Sequence, residues 1–402
     1  MLLLEPEQDT ASRPILDSLT APISARAFVD DYWERRSLVV PSGDPARFTR
    51  LFRLEDIGRL LHYLKPAPPE GMLLVKDSQH YGQRWTNADG TPRLTAVRAA
   101  LGEGYSLIVN GIDKLWEPVE RYAMALQAEL QHPVDVNLYV TPPGARAFSH
   151  HWDIMDVFIL QVSGSKAWQV RTAATDRPLR DEHAPVTGEL PPLVFDGDLT
   201  AGGMLYIPRG HVHSAAATDC MSVHLSIGVH PRTWLDLLQA GIKAARADER
   251  LRGALPPGYL DGSGIREEFR ALVAALPALL DPDRALGQLA EDWLVERAPP
   301  PGDDFLHAPP ALREDTIVRV REGIACQVFE AAGMAGIRYS GGRISGPAKI
   351  GPALHHLSRH RRAAIRDLDP GLSLREVQVL ATRLVREGLL EVEPVAEHRY
   401  DG

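Results

Sequence analysis

Cysteine is nearly absent. Cys220 and Cys326 are the two in 402 residues, far apart and in neither a CxxC nor a repeating pattern, which argues against a disulfide framework or a cysteine-built zinc site. Long apolar runs are missing too, none approaching the roughly 20 residues of a membrane-spanning helix. Basic charge is outweighed, 44 Lys and Arg against 53 Asp and Glu for a net charge of −9. That balance argues against broad, phosphate-driven binding to nucleic acid and favours encounter with basic partners. The opening Met1-Leu-Leu-Leu4 runs at once into Glu5, Glu7 and Asp9, without the basic and apolar stretches of a secretory leader. The expectation is a cytoplasmic protein with no membrane partner.

What is present is an ordinary globular composition, 44% hydrophobic and 24% charged, in a chain long enough for two or three packed domains. The segment Ala27–Val40 passes from helical spacing to a Val-rich strand. Lys65–Gly71, rich in Pro, reads as a loop. From Gly71 to about His230 strand signals dominate, at Met72–Val75, Tyr105–Asn110, Asp135–Thr141, Asp156–Val162, Ala167–Arg171, Met204–Pro208 and Met221–Val229. Gly and Pro punctuate them as in a sandwich or barrel, and helical spacing occurs mainly at Trp116–Leu130. After Pro231, two apolar series at helical spacing (Trp234 to Ile242, Phe269 to Leu280) mark a helical region. Ala298–Asp304 with Pro309 and Pro310 is the clearest linker. Beyond it, Ser373 and Glu376 make a capping box for an amphipathic helix through Val377, Leu380 and Leu384; Gly388 can end it, and Leu389–Glu393 follows as a short strand. Helices followed by a small strand pair suggest a winged helix, normally a DNA reader, but here acids stand beside the arginines and DNA binding is not expected. The expected division is 1–230, 231–300 and 301–402.

The chemistry concentrates in two places. In Phe148-Ser-His-His-Trp-Asp-Ile-Met-Asp156, an extended backbone would put His151 and Asp153 on one side and His150 and Trp152 on the other. Later, Gly203-Met-Leu-Tyr-Ile-Pro-Arg-Gly-His-Val-His213 reads as a strand leading into a turn that delivers a histidine. Two imidazoles and one carboxylate form the facial triad of non-haem iron(II) oxygenases, which leaves about three coordination positions open for an oxoacid and dioxygen. A structural zinc site would be closed by a fourth ligand. Spacing alone leaves His150 competing with His151, and His211 with His213.

These residues resemble the ribosomal oxygenases, JmjC-cupin hydroxylases that modify ribosomal protein side chains. The resemblance lies in Asn137-Leu-Tyr-Val-Thr-Pro-Pro-Gly144, His151-x-Asp153, Asp156-Val-Phe-Ile-Leu-Gln161, Gly164-x-Lys166-x-Trp168 and Leu205-Tyr-Ile-Pro-Arg-Gly-x-x-His213. It continues into Ser222-Val-His-Leu-Ser226, and Phe28-x-x-x-Tyr32-Trp33-Glu34 looks like the family's opening segment. The resemblance implies iron(II) held by His151, Asp153 and His213, with His150 and His211 as bystanders. It also implies 2-oxoglutarate as cosubstrate with dioxygen, Lys166 binding the distal carboxylate, and Asn137 and Ser222 nearby. Phe158, Trp168 and Tyr206 are read as packing; Tyr139 could face core or pocket.

The architecture so implied is mixed α and β: a double-stranded β-helix (cupin/JmjC) catalytic domain, a helical dimerisation region and a C-terminal winged-helix-like domain. The expected substrate is an arginine or histidine of a basic ribosomal protein. Two other readings remain: a tailoring hydroxylase of a biosynthetic peptide or free amino acid, and, from another class, a non-catalytic metal-binding cupin or DNA-binding regulator.

Overall fold

A computed structural model of the chain describes residues 14–64, 71–182, 184–262, 264–294, 311–331 and 333–393. The leucines at 2–4, the 65–70 part of the expected loop and the expected linker at 298–310 lie outside the described residues. The chain folds as two units, Met1–Pro231 and Arg232–Gly402.

The first unit carries, in order, α1 Pro14–Thr20, α2 Ala25–Asp31, β1 Leu38–Val40, α3 Asp56–Tyr63, β2 Met72–Lys76, β3 Gln79–His80, α4 Leu94–Gly102, β4 Ser106–Val109, α5 Glu117–Leu130, β5 Val134–Thr141 and β6 Asp156–Ser163. It continues with β7 Ser165–Ala173, β8 Leu193–Thr200, β9 Met204–Ile207, β10 His211–Ala217 and β11 Ser222–Val229. The strands form a large sheet, β1-β9-β6-β11-β5-β4-β2-β3, and a small one, β10-β7-β8.

Side-chain alternation along the large sheet decides what each face meets. Val136, Leu138 and Val140 of β5, Phe158 and Leu160 of β6, Tyr206 of β9 and Leu225 and Ile227 of β11 enter one core with Phe28, Phe52, Val119 and Leu126 from the helical side. The intervening Val157, Ile159, Leu205 and Ile207 join Trp168, Val170 and Leu199 of the small sheet in a second core. The same alternation turns Asn137, Tyr139 and Thr141 of β5, and Ser222, His224 and Ser226 of β11, to the face opposite the helical core. Those two strands pair with Asn137 opposite Ser226, Tyr139 opposite His224 and Thr141 opposite Ser222. Polar and aromatic residues on the inner face of an otherwise Val- and Leu-rich strand pair are the material of a lined pocket.

Three strands and one helix of this unit were not read in the sequence, and β3 is only two exposed residues long. β8 has mostly exposed residues on an edge, and β10 runs through Ser214-Ala-Ala-Ala217, so neither shows the β-branched, half-buried pattern that marks a strand. α4 was hidden because its nine residues are Ala-rich, with Val97 and Ala100 alone buried.

The second unit opens with α6 Trp234–Ala244, α7 Arg266–Leu279 and α8 Pro282–Leu294. The rest comprises β12 Ile317–Val320, β13 Cys326–Ala331, β14 Met334–Tyr339, β15 Gly342–Pro347, α9 Gly351–His360, β16 Arg362–Ala364, α10 Leu374–Arg386 and β17 Leu390–Val392. Thr233 and Asp236 close a capping box on α6, and Ser373 and Glu376 close the expected one on α10, satisfying backbone donors the first turn leaves unpaired. Two three-stranded sheets, β16-β12-β17 and β13-β14-β15, share a core with α9 and α10 built on Val318, Ile337, Leu354, Leu357, Val377 and Leu384. The β13–β15 meander and α8 were not read in the sequence; Gly and Ala in the strands (Ala335, Gly336, Gly346) blur the period-two signal.

Candidate metal centre

An isolated antiparallel bridge joins the two ligand-bearing segments. His151 N–H donates to His213 O at 3.1 Å and His213 N–H to His151 O at 2.8 Å, which brings the two imidazoles to 4.3 Å between centroids. Asp153 lies two residues further along the same extended stretch, its Oδ2 3.5 Å from His213 Nε2. Ligand atoms of His151, Asp153 and His213 all fall within 4.8 Å of one another. Each histidine's Nδ1 faces a backbone oxygen, Ser149 O at 2.8 Å for His151 and His211 O at 3.1 Å for His213. A backbone acceptor at Nδ1 fixes the proton there and leaves Nε2 as a free lone pair, the tautomer metal ligation requires.

Burial, with His151 as the next cause, pushes the His213 imidazole down to about 4. Near neutrality it is therefore uncharged, and its approach to Asp153 is two donors converging on one point, not an ion pair. Three ligands on one side suit an open, iron-type site better than closed tetrahedral zinc. Of the competing histidines, His150 lines the same cavity with its Nε2 buried and without a partner among the described residues, and His211 contributes its backbone oxygen.

The three residues stand in a cavity of about 360 Å³ whose walls include Tyr139, Phe148, Lys166, Trp168, His224 and Ser226. Such a volume accommodates a small-molecule ligand. Lys166 is 3% exposed. Its ammonium lies 3.3 Å from Thr141 Oγ1 and 5.8 Å from the centroids of the Tyr139 and Trp168 rings, and Ser106 Oγ donates to the same Thr141 hydroxyl at 3.2 Å. No carboxylate among the described residues pairs with it, and burial alone pushes its pKa down to about 7. His224, stacked on Tyr139 at 4.7 Å, is held neutral by burial and then by Lys166. A buried cation without a counter-ion is costly in an empty pocket and suits an anionic ligand.

Asn137 and Ser222 face the interior but are not among the residues lining this cavity. Asn137 Oδ1 accepts from Gly111 N at 3.0 Å, and Ser222 Oγ accepts from Gln161 Nε2 at 2.9 Å. Trp168, read from sequence as packing, also lines the pocket 6.2 Å from the His213 ring, with Nε1 buried and without a partner among the described residues. Tyr139 faces the pocket; Phe158 and Tyr206 are packed in the helical core. A second cavity, of about 400 Å³, is lined by Leu64, Met72, Tyr81, Trp85 and neighbours with a single histidine, His80, and no carboxylate, so its chemistry does not compete.

Gly210 fixes the turn before His213. Its φ is +79°, and a Cβ there would stand 1.8 Å from Thr175 O. Gly210→Ala is expected to cost roughly 2–4 kcal/mol of stability, read as a lowered denaturant midpoint, and to weaken metal binding in whatever fraction remains folded.

Fold and site together define a cupin-type β-helix barrel carrying an open two-histidine, one-carboxylate metal face. Residues 114–237 match the JmjC domain family. Ribosomal oxygenase 1 from Gallus gallus is 28% identical over 311 residues, covering 70% of this chain and 51% of its own. The bifunctional lysine-specific demethylase and histidyl-hydroxylase NO66 from Drosophila yakuba is 27% identical over 316 residues, covering 72% of this chain and 46% of its own. The chain thus spans about half the length of these curated relatives. A crystal structure of the Escherichia coli ribosomal oxygenase YcfD superimposes with a TM-score of 0.56 at 19% identity, covering 92% of this chain and 98% of its own. The same enzyme has been solved with cobalt and 2-oxoglutarate, with a TM-score of 0.55 at 18% identity and coverages of 92% and 99%. The similarity to ribosomal oxygenases first seen in short motifs therefore extends over most of the chain.

Proposed function

We propose that the protein is an iron(II)- and 2-oxoglutarate-dependent dioxygenase hydroxylating an arginine or histidine side chain of a ribosomal protein. The observation that carries this reading is one cavity with an open His-Asp-His face at one place and, in its wall, a buried lysine without a carboxylate partner among the described residues. His151, Asp153 and His213 would hold the iron, and Lys166 the distal carboxylate of the cosubstrate, a charge-assisted pairing. When bound, iron with 2-oxoglutarate and dioxygen supplies oxidative decarboxylation coupled to hydroxylation of a C–H bond.

The chain's own part is to bind, orient and exclude water. The Thr141 hydroxyl, itself held by Ser106, orients the ammonium, and Tyr139, His224 and Trp168 wall it from solvent. The Trp168 N–H, without a partner among the described residues, is a further donor for a ligand oxygen. Asn137 and Ser222, expected beside the cosubstrate, would act here through the barrel wall, Asn137 on Gly111 and Ser222 on Gln161. The names of the relatives support a ribosomal substrate, and the net charge of −9 suits a basic partner. The same reading assigns residues 1–230 to catalysis, 231–300 to self-association as a homodimer and 301–402 to a winged-helix-like module, in the cytoplasm. Exposed Trp234, Leu238 and Ile242, spaced one turn apart on α6, support self-association.

The test is intact-mass analysis of ribosomal proteins from a host lacking this gene, incubated with enzyme, iron(II) and 2-oxoglutarate, with His213→Ala as control. One ribosomal protein gaining the mass of a single oxygen only with active enzyme is expected. Succinate formation without any such gain would move the substrate to peptides or free amino acids, and absence of both would leave a metal-binding cupin without turnover.

The state of Lys166 adds a pH dependence. With its pKa about 7 in the empty pocket, the ammonium that attracts a dianion is progressively lost above pH 7. Apparent affinity for 2-oxoglutarate is therefore expected to fall between pH 7 and 9, by at most about tenfold per unit, and Lys166→Arg should flatten that slope. An affinity flat in the wild type over this range would count against the pairing.

A further inference from the structure

The amino-terminal segment that carries Phe28, Tyr32, Trp33 and Glu34 is remote in sequence from the metal ligands, yet it ends on the turn that delivers one of them. Phe28 and Trp33 pack against the fully buried Tyr206 ring at 4.9 and 6.2 Å between centroids. The Tyr206 hydroxyl donates to Asp156 Oδ1 at 2.7 Å and accepts from the Glu34 backbone N–H at 2.9 Å. Glu34 itself has a φ of 54°, a left-handed conformation that a glutamate adopts only when its surroundings impose it.

That conformation coincides with a contact. Glu34 Oε1 accepts from Arg209 Nε at 2.8 Å and lies 2.5 Å from Arg209 Nη2, with the arginine side chain 6% exposed. Arg209 Nη1 donates to Pro178 O at 2.7 Å, and its backbone N–H lies 3.4 Å from Asp156 Oδ1. The next residue, Gly210, donates its N–H to Asp153 O at 2.8 Å, and the one after, His211, offers the oxygen that faces His213 Nδ1. A continuous chain of bonds therefore runs from Glu34 through Arg209 to the main chain of Asp153 and the imidazole of His213. Buried ion pairs return little net stability, but groups that orient metal ligands strongly affect metal affinity.

We infer that Glu34 and Arg209 are positioning residues for the metal: their ion pair holds the Pro208–His211 turn, and through it Asp153 and His213, in ligating geometry, so that the amino-terminal segment is a working part of the site. The inference rests on the proposed His151, Asp153 and His213 ligand set. A purely adhesive pair would affect folding alone, whereas a positioning pair sets metal affinity in protein that is still folded.

Cobalt(II) titrated into metal-free protein, followed by its visible absorption, separates the two. Glu34→Gln keeps an acceptor oxygen but removes the charge; it strands the buried Arg209 guanidinium and so lowers the melting temperature of the metal-free protein. It is expected in addition to weaken cobalt binding by the protein that is still folded about 10- to 100-fold. Arg209→Lys, which keeps the charge but loses the planar fork, should weaken it in the same direction and serves if Glu34→Gln does not fold. A lower melting temperature with cobalt affinity within twofold of wild type in both variants would overturn the inference. Undiminished cobalt binding by His213→Ala would instead overturn the ligand set, so the two failures are distinguishable.

Discussion

His213→Ala is expected to remove tight cobalt or iron binding and, with it, conversion of 2-oxoglutarate to succinate. The loss should exceed the 10- to 100-fold typical of residues that merely orient a ligand, because one of only three donors disappears. The fold should survive. The imidazole is uncharged in place, burial having pushed it to about 4, so its removal strands no buried charge and leaves one backbone acceptor, His211 O, to be satisfied. Asp153→Ala should give the same loss. His211→Ala is the informative companion: it acts on His213 through its backbone oxygen, which alanine retains, so affinity should stay within about twofold. If His211→Ala abolished binding and His213→Ala did not, the ligand assignment at this turn would be reversed.

Local spacing pointed to the region and not to the set. Alternation along an extended stretch groups His151 with Asp153, and the Pro208-Arg209-Gly210 turn announces a change of direction just before His213. The choice of His151 over His150 and of His213 over His211 came from the family resemblance, and the fold brings those three side chains together. The walls of the pocket were less legible. Tyr139, His224 and Ser226 lie on strands recognised in the sequence, but which face met the helices required knowing that α5 and the segment around Phe28 cover the other side. Once Val136, Leu138 and Val140 are assigned to that core, alternation places Tyr139 and Thr141 inside. Trp168, read as packing, does pack in the second core, and what the sequence reading missed is that it also lines the cavity. Strands β8 and β10 escaped notice because an exposed edge and an alanine run carry little hydrophobic period. The Glu34–Arg209 pair spans 175 residues, and no spacing rule links positions so far apart.

Replacing Lys166 by methionine is expected to move function and stability in opposite directions. For function, a cosubstrate carboxylate would enter the cavity with no cation to receive it; removing one partner of a buried pair costs roughly 3–5 kcal/mol, so affinity for 2-oxoglutarate should fall by at least about 100-fold while cobalt binding stays near wild type. For stability, the empty pocket now confines an unpaired ammonium, and methionine fills nearly the same volume without charge, so the unliganded variant should be more stable by roughly 1–4 kcal/mol. The pH dependence fixes the sign. The folded lysine has a pKa of about 7 against an ordinary 10.5, so between those values the unfolded chain binds more protons and wild-type stability rises with pH. The advantage of Lys166→Met should thus be largest at or below pH 7 and shrink towards pH 10.5, which denaturation at several pH values would read directly. A variant that lost stability at every pH while keeping its affinity for 2-oxoglutarate would show that the lysine is a packing residue and that the anion is held elsewhere. A stabilised protein that no longer takes up the cosubstrate would mark Lys166 as a position where stability is given up for binding, as functional sites commonly require.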